Sequence, residues 1–180
     1  MDARQIARVG VAVALLSVSA WITVSFGPVP FTLQTMALAM LPAILDRKGA
    51  CAAVAVYLLL GAVGLPVFSG FGSGIGQIAG MTGGFLWGFL IGTIAGTSVK
   101  SVLPDRVPQF AQVVIADIVM LLISYACGTA QLMIVGSMGL VPALVAAVLP
   151  FVVFDLMKLA VGTSIGRTVA RALGVIRSHA

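Results

Sequence analysis

Six apolar segments, each bounded by proline, glycine or charged residues, divide almost the whole chain. None of them alternates polar and apolar residues as a half-buried strand does, and a chain in lipid must satisfy its own backbone hydrogen bonds. The pattern therefore predicts an all-α integral membrane protein with a single transmembrane domain, residues 1–180, of six transmembrane helices. The expected spans are residues 6–26, 31–45, 50–65, 82–99, 110–127 and 141–168.

Charged residues are too few for a soluble protein of this length. The 180 residues include ten Lys+Arg and five Asp+Glu, and 61% are hydrophobic, whereas about a quarter to a third of a soluble surface is charged. This excludes a soluble enzyme, a disordered chain and a secreted disulfide scaffold. The net charge of +5 does not indicate nucleic-acid binding, because the basic residues fall in four small groups rather than one patch.

The basic groups occupy alternate connections. They precede the first segment and follow the second, fourth and sixth, whereas the other connections contain no Lys or Arg. Since cytoplasmic loops carry an excess of Lys and Arg, we expect both termini in the cytoplasm. A cleaved signal peptide in segment one is the alternative, but its removal would leave five spans. The nine residues are Arg4, Arg8, Arg47, Lys48, Lys100, Arg106, Arg167, Arg171 and Arg177.

No motif for catalysis or ATP hydrolysis occurs in the sequence. There is no GxxxxGK[ST], His179 is the single histidine, and no hydroxyl residue has a base partner at a suitable spacing. Residues 74–79 resemble a degenerate GxGxxG motif, but they follow a membrane segment rather than a strand. We therefore expect neither an enzyme nor a cofactor or metal site.

A few polar side chains lie within the apolar segments. Asp155 and Lys158 are three residues apart and share one helix face, so they form either a structural ion pair or, as we favour, a ligand site. Asp117 is interpreted first as an interhelical hydrogen-bond partner or a counter-charge for a basic group. Gln34 faces a cavity or bonds another helix.

Small residues recur at helical spacing in two segments. Those of segment four predict close helix packing, within the bundle rather than between two copies; they are Gly84, Gly88, Gly92 and Gly96. Those of segment one predict either a docking surface for a partner helix or packing within the bundle; they are Ala3, Ala7, Gly10 and Ala14.

Four motifs, in order along the chain, carry a family resemblance. They are residues 29–34 (VPFTLQ), residues 57–68 (YLLLGAVGLPVF), residues 80–85 (GMTGGF), and residues 149–151 (LPF) followed by 155–158 (DLMK). Together they resemble the BioY family, the substrate-binding S component of energy-coupling-factor (ECF) biotin transporters.

The resemblance implies a compact six-helix S component in the plasma membrane of a prokaryote, the inner membrane if the cell is Gram-negative. It implies an outward-opening biotin site covered by external loops, with residues 66–85 forming much of its wall. It also implies docking through Ala3 and Ala7 on a transmembrane coupling subunit that carries ATP-binding subunits, although Val11 interrupts that surface. The implied substrate-binding residues are Asp155, Lys158, Gln34, Thr32, Phe31, Phe68, Thr82 and Phe85.

The chemistry of biotin fits these residues. Our hypothesis is that Asp155 accepts hydrogen bonds from the ureido N–H groups and that Lys158 supplies a charge-assisted donor. Gln131 stands where an aromatic residue is expected in many relatives, so the role of its connection is open. Alternatives are a stand-alone or proton-coupled vitamin facilitator with Asp117 and Asp155 as relays, and a purely structural membrane protein. A homo-oligomer is compatible with either transport hypothesis.

Overall fold

The computed structural model describes residues 2–25 and 27–175, which form eight α-helices and one hairpin. Phe26, the predicted end of the first span, and Arg177 and His179 lie outside the described residues. In chain order the elements are α1 (Ala3–Trp21), β1 (Thr23–Ser25), β2 (Pro30–Thr32), α2 (Gln34–Ile44), α3 (Arg47–Ala62), α4 (Ile75–Ala79), α5 (Gly83–Val102), α6 (Gln109–Val135), α7 (Leu140–Ala147) and α8 (Val152–Ala172). A short 3-10 turn (Ser69–Phe71) separates α3 from α4.

Several of the described helices are suited to a membrane. By length and composition, α1, α5 and α6 can each cross one, and α7 with α8 passes the same test as a bent pair. Helix α2 has 11 residues, too few to cross a hydrocarbon core of about 30 Å unaided. Nine of those residues are buried, so protein rather than lipid surrounds this helix. The all-helical prediction is confirmed, and the chain is a multi-pass membrane protein.

One end of the bundle, which we call the hairpin end, gathers the β1–β2 hairpin and the loops without basic residues. There Trp21 Nε1 donates a hydrogen bond to the carbonyl of Pro66 (2.7 Å), and Gln131 Nε2 donates to the carbonyl of Gly80 (2.6 Å). These contacts bring the carboxyl ends of α1 and α6 to the loop that joins α3 to α5. The hairpin end comprises residues 21–25, 27–33, 63–82 and 136–151.

The opposite end, which we call the basic end, gathers the basic residues. Lys100 Nζ donates to the carbonyl of Pro42, which joins the last turns of α5 and α2. The Arg167 guanidinium lies 5.4 Å from the ring centroid of Phe110, which joins the last turns of α8 to the start of α6. The alternate connections that carry basic residues in the sequence thus lie at one end of the described bundle. Lys158 is the exception.

The first helix is shorter than predicted. It ends at Trp21, and the antiparallel hairpin that follows pairs Val24 with Phe31. Proline lacks the amide hydrogen that a helix needs, and residues 27–30 (GPVP) include two prolines, so the chain turns here instead of continuing. The hairpin sets Phe31 and Thr32 directly before α2.

The glycine row of α5 packs on α6 of the same chain, as the sequence predicted. A Cβ added to Gly88 would lie 2.5 Å from Ser124 Cα, and one added to Gly92 would lie 2.6 Å from the carbonyl oxygen of Met120. Only residues without a side chain allow two helix backbones to approach so closely. The row is used inside the bundle and does not offer a dimerisation surface.

Helix α6 extends to Val135, beyond the predicted span end at residue 127. Gly128 lies directly after the predicted span end, but it is a buried helical residue, and a Cβ there would collide with the ring of Phe85. This glycine marks a close approach rather than a helix end, and Gln131 consequently lies within the helix.

The sixth segment is broken instead of continuous. Helices α7 and α8 are bent by 43° relative to one another, and Pro150 lies in the break, where proline removes a helical hydrogen bond. The break places Asp155 in the first turn of α8. A carboxylate there is stabilised by the partial positive charge of the helix N-terminus.

The main apolar core lies between α1, α2, α3 and α5. Its most deeply buried side chains include Leu16, Leu41, Val54 and Tyr57, each at most 1% exposed. This core supports the side of the hairpin end on which Gln34 and Tyr57 meet.

Candidate functional site

Asp155 and Lys158 form a buried ion pair in α8. Lys158 Nζ lies 2.9 Å from Asp155 Oδ1, and the two residues are 8% and 4% exposed. One helical turn separates them, so a single helix face presents both charges. Charges buried to this extent persist only when paired and hydrogen-bonded, so the two side chains act as one unit.

The Lys158 ammonium directs its donors at protein atoms. It donates to the carbonyl of Thr32 (2.7 Å) and to Asp155 Oδ1 (2.9 Å), and it lies 3.5 Å from the ring centroid of Phe31. A lysine has three N–H donors, and two hydrogen bonds with one cation–π contact occupy all three directions. A ligand group must displace one of these contacts to reach Lys158.

Asp155 retains room for one further donor. Its Oδ1 accepts hydrogen bonds from Thr35 Oγ1 (2.9 Å) and Lys158 Nζ, and its Oδ2 accepts one from Tyr125 Oη (2.7 Å). A carboxylate oxygen accepts about two hydrogen bonds, so Oδ2 has one position left. Thr35 and Tyr125 were not among the predicted site residues; the signal for Tyr125 was a tyrosine hydroxyl within an apolar span.

Gln34 belongs to a neighbouring polar group. Its Nε2 donates to Tyr57 Oη (2.7 Å), and its Oε1 accepts from Thr32 Oγ1 (3.2 Å). The Tyr57 ring meets the Phe68 ring edge to face, with centroids 5.5 Å apart. Gln34 therefore bonds another helix, and it also lines the cavity at the hairpin end. Both alternatives predicted for it from the sequence occur.

A cavity at the hairpin end brings most of the predicted site residues together. Seven of the eight line it, whereas Phe31 lies in an adjacent apolar groove and reaches the site through Lys158. The seven are Thr32, Gln34, Phe68, Thr82, Phe85, Asp155 and Lys158. Ser69 and Gln77 also line it and belong to the loop, residues 66–85, that was expected to form much of the wall. The other lining residues are Val29, Pro30, Thr35, Leu86, Phe89, Leu121, Ser124, Tyr125, Ala147 and Phe151.

The loop between α3 and α5 covers this cavity and is fastened to α6. Gln131 Nε2 donates to the carbonyls of Ile78 (3.0 Å) and Gly80 (2.6 Å). Phe68, from the same loop, is 1% exposed and fits against Gly61, where a Cβ would leave no space for its ring. The polar residue at position 131 therefore holds backbone of the loop.

Asp117 lies apart from this site. It is 1% exposed, its Oδ2 accepts a hydrogen bond from Thr163 Oγ1 (2.7 Å), and its Oδ1 has no hydrogen-bond partner among the described residues. The bond joins α6 to α8, which agrees with the first interpretation of this residue. Asp117 does not line the cavity.

No group of three or more His, Cys, Asp or Glu side chains within the described ranges could hold a metal ion. The cavity accordingly offers hydrogen bonds, one buried ion pair and aromatic walls. Such a lining suits a small ligand that carries both polar and apolar groups.

The small residues of α1 face outward. Ala3, Ala7, Gly10 and Ala14 are all exposed, and a Cβ on Gly10 would meet nothing within 4 Å. Packing of this face within the bundle, one of the two alternatives, is therefore wrong. The face is open to lipid or to another protein.

Comparison with known sequences relates the chain to one family. The BioY family model matches residues 1–175. A biotin transporter BioY of Thermotoga maritima is 48% identical over 68 residues, 38% of this chain and 40% of that protein. A probable biotin transporter BioY of Pyrococcus horikoshii is 44% identical over 71 residues, 39% of this chain and 44% of that protein. The matched region thus spans less than half the length of these relatives.

A solved structure shares the fold. The crystal structure of the S-component for biotin from an ECF-type ABC transporter matches with a TM-score of 0.83, covers 95% of each chain and is 20% identical in sequence.

Proposed function

The chain belongs to the BioY family, and from this premise we propose that it is a biotin-binding S component that captures biotin for uptake by a prokaryotic cell. The observation that carries the proposal is the cavity at the hairpin end, where Asp155 keeps one free acceptor position beside its fixed counter-ion Lys158. Relatives named biotin transporters support the same ligand.

Biotin has the groups that this cavity can receive. Its ureido ring offers N–H donors and a carbonyl, and one N–H fits the free position on Asp155 Oδ2. Its thioether ring is apolar, and Phe68, Phe85 and Phe89 line the cavity as apolar walls. Lys158 holds the Asp155 carboxylate in place and compensates its negative charge.

The proposed topology has six spans with both termini in the cytoplasm. The grouping of basic residues at the basic end supports it, because Lys and Arg favour the cytoplasmic side. The hairpin end with its cavity then faces outward, and α2 and α3 complete the six spans. A short α2 is compatible with this arrangement because neighbouring helices satisfy and cover it.

Uptake against a gradient needs energy, and the sequence has no P-loop with which to hydrolyse ATP. We assign that role to an ECF transmembrane coupling subunit with ATP-binding subunits. The exposed face with Ala3 and Ala7 is the proposed docking surface, because small residues allow a partner helix to approach closely. Ala7→Trp should abolish co-purification with the coupling subunit and leave biotin binding unchanged; retention of both would remove this surface from the proposal.

The decisive experiment is equilibrium binding of tritiated biotin to the purified protein in detergent. Saturable binding to the wild type, lost in Asp155→Asn, is expected. Asn keeps the size of the side chain but replaces one acceptor oxygen with a donor. An absence of binding by the folded wild type would overturn the function, and wild-type binding by both Asp155→Asn and Lys158→Ala would overturn the site.

A second candidate is proton-coupled uptake by this chain alone. Asp117 favours it, because its Oδ1 has no hydrogen-bond partner in the part of the chain that the structure describes. Proteoliposomes that contain only this chain distinguish the two. Biotin accumulation driven by an imposed pH gradient and lost in Asp117→Asn would support the facilitator, whereas accumulation only with ATP-binding subunits supports the S component.

A further inference from the structure

Ser124 is a buried hydroxyl residue at the cavity and was not among the site residues predicted from the sequence. It lies in α6, is 1% exposed and lines the same cavity as Asp155. The next residue, Tyr125, donates its hydroxyl to Asp155 Oδ2. Ser124 and the carboxylate position that is open to a ligand therefore belong to one cavity.

The hydroxyl of Ser124 differs from those of other helical serines in this protein. Ser17, Ser98 and Ser164 each donate to the carbonyl oxygen four residues earlier, a common way for a helical serine to satisfy its own hydroxyl. Within the described part of the chain, Ser124 makes no such bond and has no other hydrogen-bond partner. Among the described residues, the fully buried atoms without a partner are Asp117 Oδ1 and Thr129 Oγ1, not Ser124 Oγ. Ser124 instead lines the cavity, so its hydroxyl is available to a ligand there.

Packing does not explain the hydroxyl. The close contact between Ser124 and α5 is made by its backbone, whose Cα would be 2.5 Å from a Cβ on Gly88. Alanine would fill the same place in the helix. The hydroxyl therefore takes no part in this contact between α5 and α6.

The Lys158 and Tyr125 hydrogen-bond donors beside the Asp155 carboxylate already have partners within the protein. Lys158 directs its three N–H groups at Thr32, Asp155 and the ring of Phe31, and the single O–H of Tyr125 points to Asp155. A cyclic urea places a carbonyl acceptor directly beside its N–H donor. When the N–H bonds Asp155 Oδ2, the carbonyl still needs a neutral donor.

We propose that Ser124 is a specificity-determining substrate contact whose hydroxyl donates to the carbonyl oxygen of a cyclic urea bound at Asp155. This inference rests on the proposed function and deepens it. The site recognises the N–H and carbonyl edge of the ureido ring through one acceptor from α8 and one neutral donor from α6. The other polar side chains of the cavity that the loop contributes, Ser69, Gln77 and Thr82, remain for the rest of the ligand.

The test pairs a change in the protein with a change in the ligand. Wild type and Ser124→Ala are each measured with biotin and with its thiourea analogue, in which sulfur, a weak acceptor, replaces the carbonyl oxygen. We expect Ser124→Ala to weaken biotin binding about tenfold. The wild type should prefer biotin over the analogue, and Ser124→Ala should lose most of that preference. The ratio of the two affinities, taken on one preparation, is independent of the folded fraction.

Ser164→Ala is the matched control, because Ser164 is an exposed helical serine that bonds its own helix; its ratio should equal that of the wild type. Equal weakening of both ligands in Ser124→Ala, or unchanged affinity for both, would overturn the contact. Failure of the wild type to bind biotin would instead overturn the proposed function, and this inference with it.

Discussion

Lys158 Nζ lies 2.9 Å from Asp155 Oδ1 one helical turn away, and both side chains are buried. The pair connects three elements, since Lys158 also bonds the carbonyl of Thr32 in β2 and Asp155 accepts from Thr35 in α2. An ion pair held in this way contributes to the shape of the cavity as well as to its charge. Removing one charge of the pair is therefore expected to affect stability differently from removing both.

Single removal should be costly for stability. Lys158→Ala leaves a buried carboxylate without its counter-ion, a change that destabilises a protein by about 3 kcal/mol. The double variant Asp155→Leu, Lys158→Met should recover much of that loss but bind no biotin. Thermal unfolding in detergent and tritiated biotin binding measure the two effects; a single variant as stable as the wild type would contradict this account.

Tyr125→Phe should weaken biotin binding without loss of fold. The ring remains, but Asp155 Oδ2 loses the 2.7 Å hydrogen bond that orients it toward the cavity. Loss of one hydrogen bond to a charged group corresponds to about 1.5–3 kcal/mol, so the dissociation constant should rise at least tenfold. Thr35→Val, which removes a donor from Oδ1 instead, is the companion variant. Wild-type affinity in both would show that the orientation of Asp155 does not matter.

Gln131→Leu should loosen the loop over the cavity. The substitution removes two hydrogen bonds to the backbone of residues 78–80 and keeps the approximate size of the side chain. At about 1 kcal/mol for each bond, the dissociation rate of biotin should increase by roughly tenfold or more. Amide exchange near residues 78–82 should accelerate as well. Unchanged exchange and dissociation would mean that other contacts hold the loop.

Sequence patterns predicted part of this site. Asp155, Lys158 and Gln34 stood out because charged or amide side chains are costly in an apolar segment, and the structure brings all three to one cavity. Thr35, Ser124 and Tyr125 did not stand out, since hydroxyl residues are ordinary in spans. Asp155, the hydrogen-bond partner of Thr35 and Tyr125, also lies far away in the chain. The Thr35 and Asp155 pair, for example, is 120 residues apart.

The fold was predictable to a similar degree. Periodic glycine predicted the contact of α5 with α6, but the same residue type misled at Gly128, where a close approach to Phe85 was interpreted as a helix boundary. Both roles of glycine depend on what lies opposite the missing side chain. Only the three-dimensional contact distinguishes them.

Gly92→Ala would place a Cβ 2.6 Å from the carbonyl oxygen of Met120 and 2.9 Å from its Cα, and these backbone atoms cannot move without separating α5 from α6. Overpacking of this kind costs about 1–3 kcal/mol. Gly10→Ala is the matched control, because nothing lies within 4 Å of its Cβ.

Thermal unfolding of the two variants in one detergent tests the packing directly. Gly92→Ala should lower the unfolding temperature, whereas Gly10→Ala should leave it unchanged or raise it, since alanine stabilises an exposed helix by up to about 1 kcal/mol relative to glycine. The loss in Gly92→Ala should be the same at every protein concentration, because the contact lies within one chain. A loss that grows on dilution would indicate instead that the glycine row joins two copies.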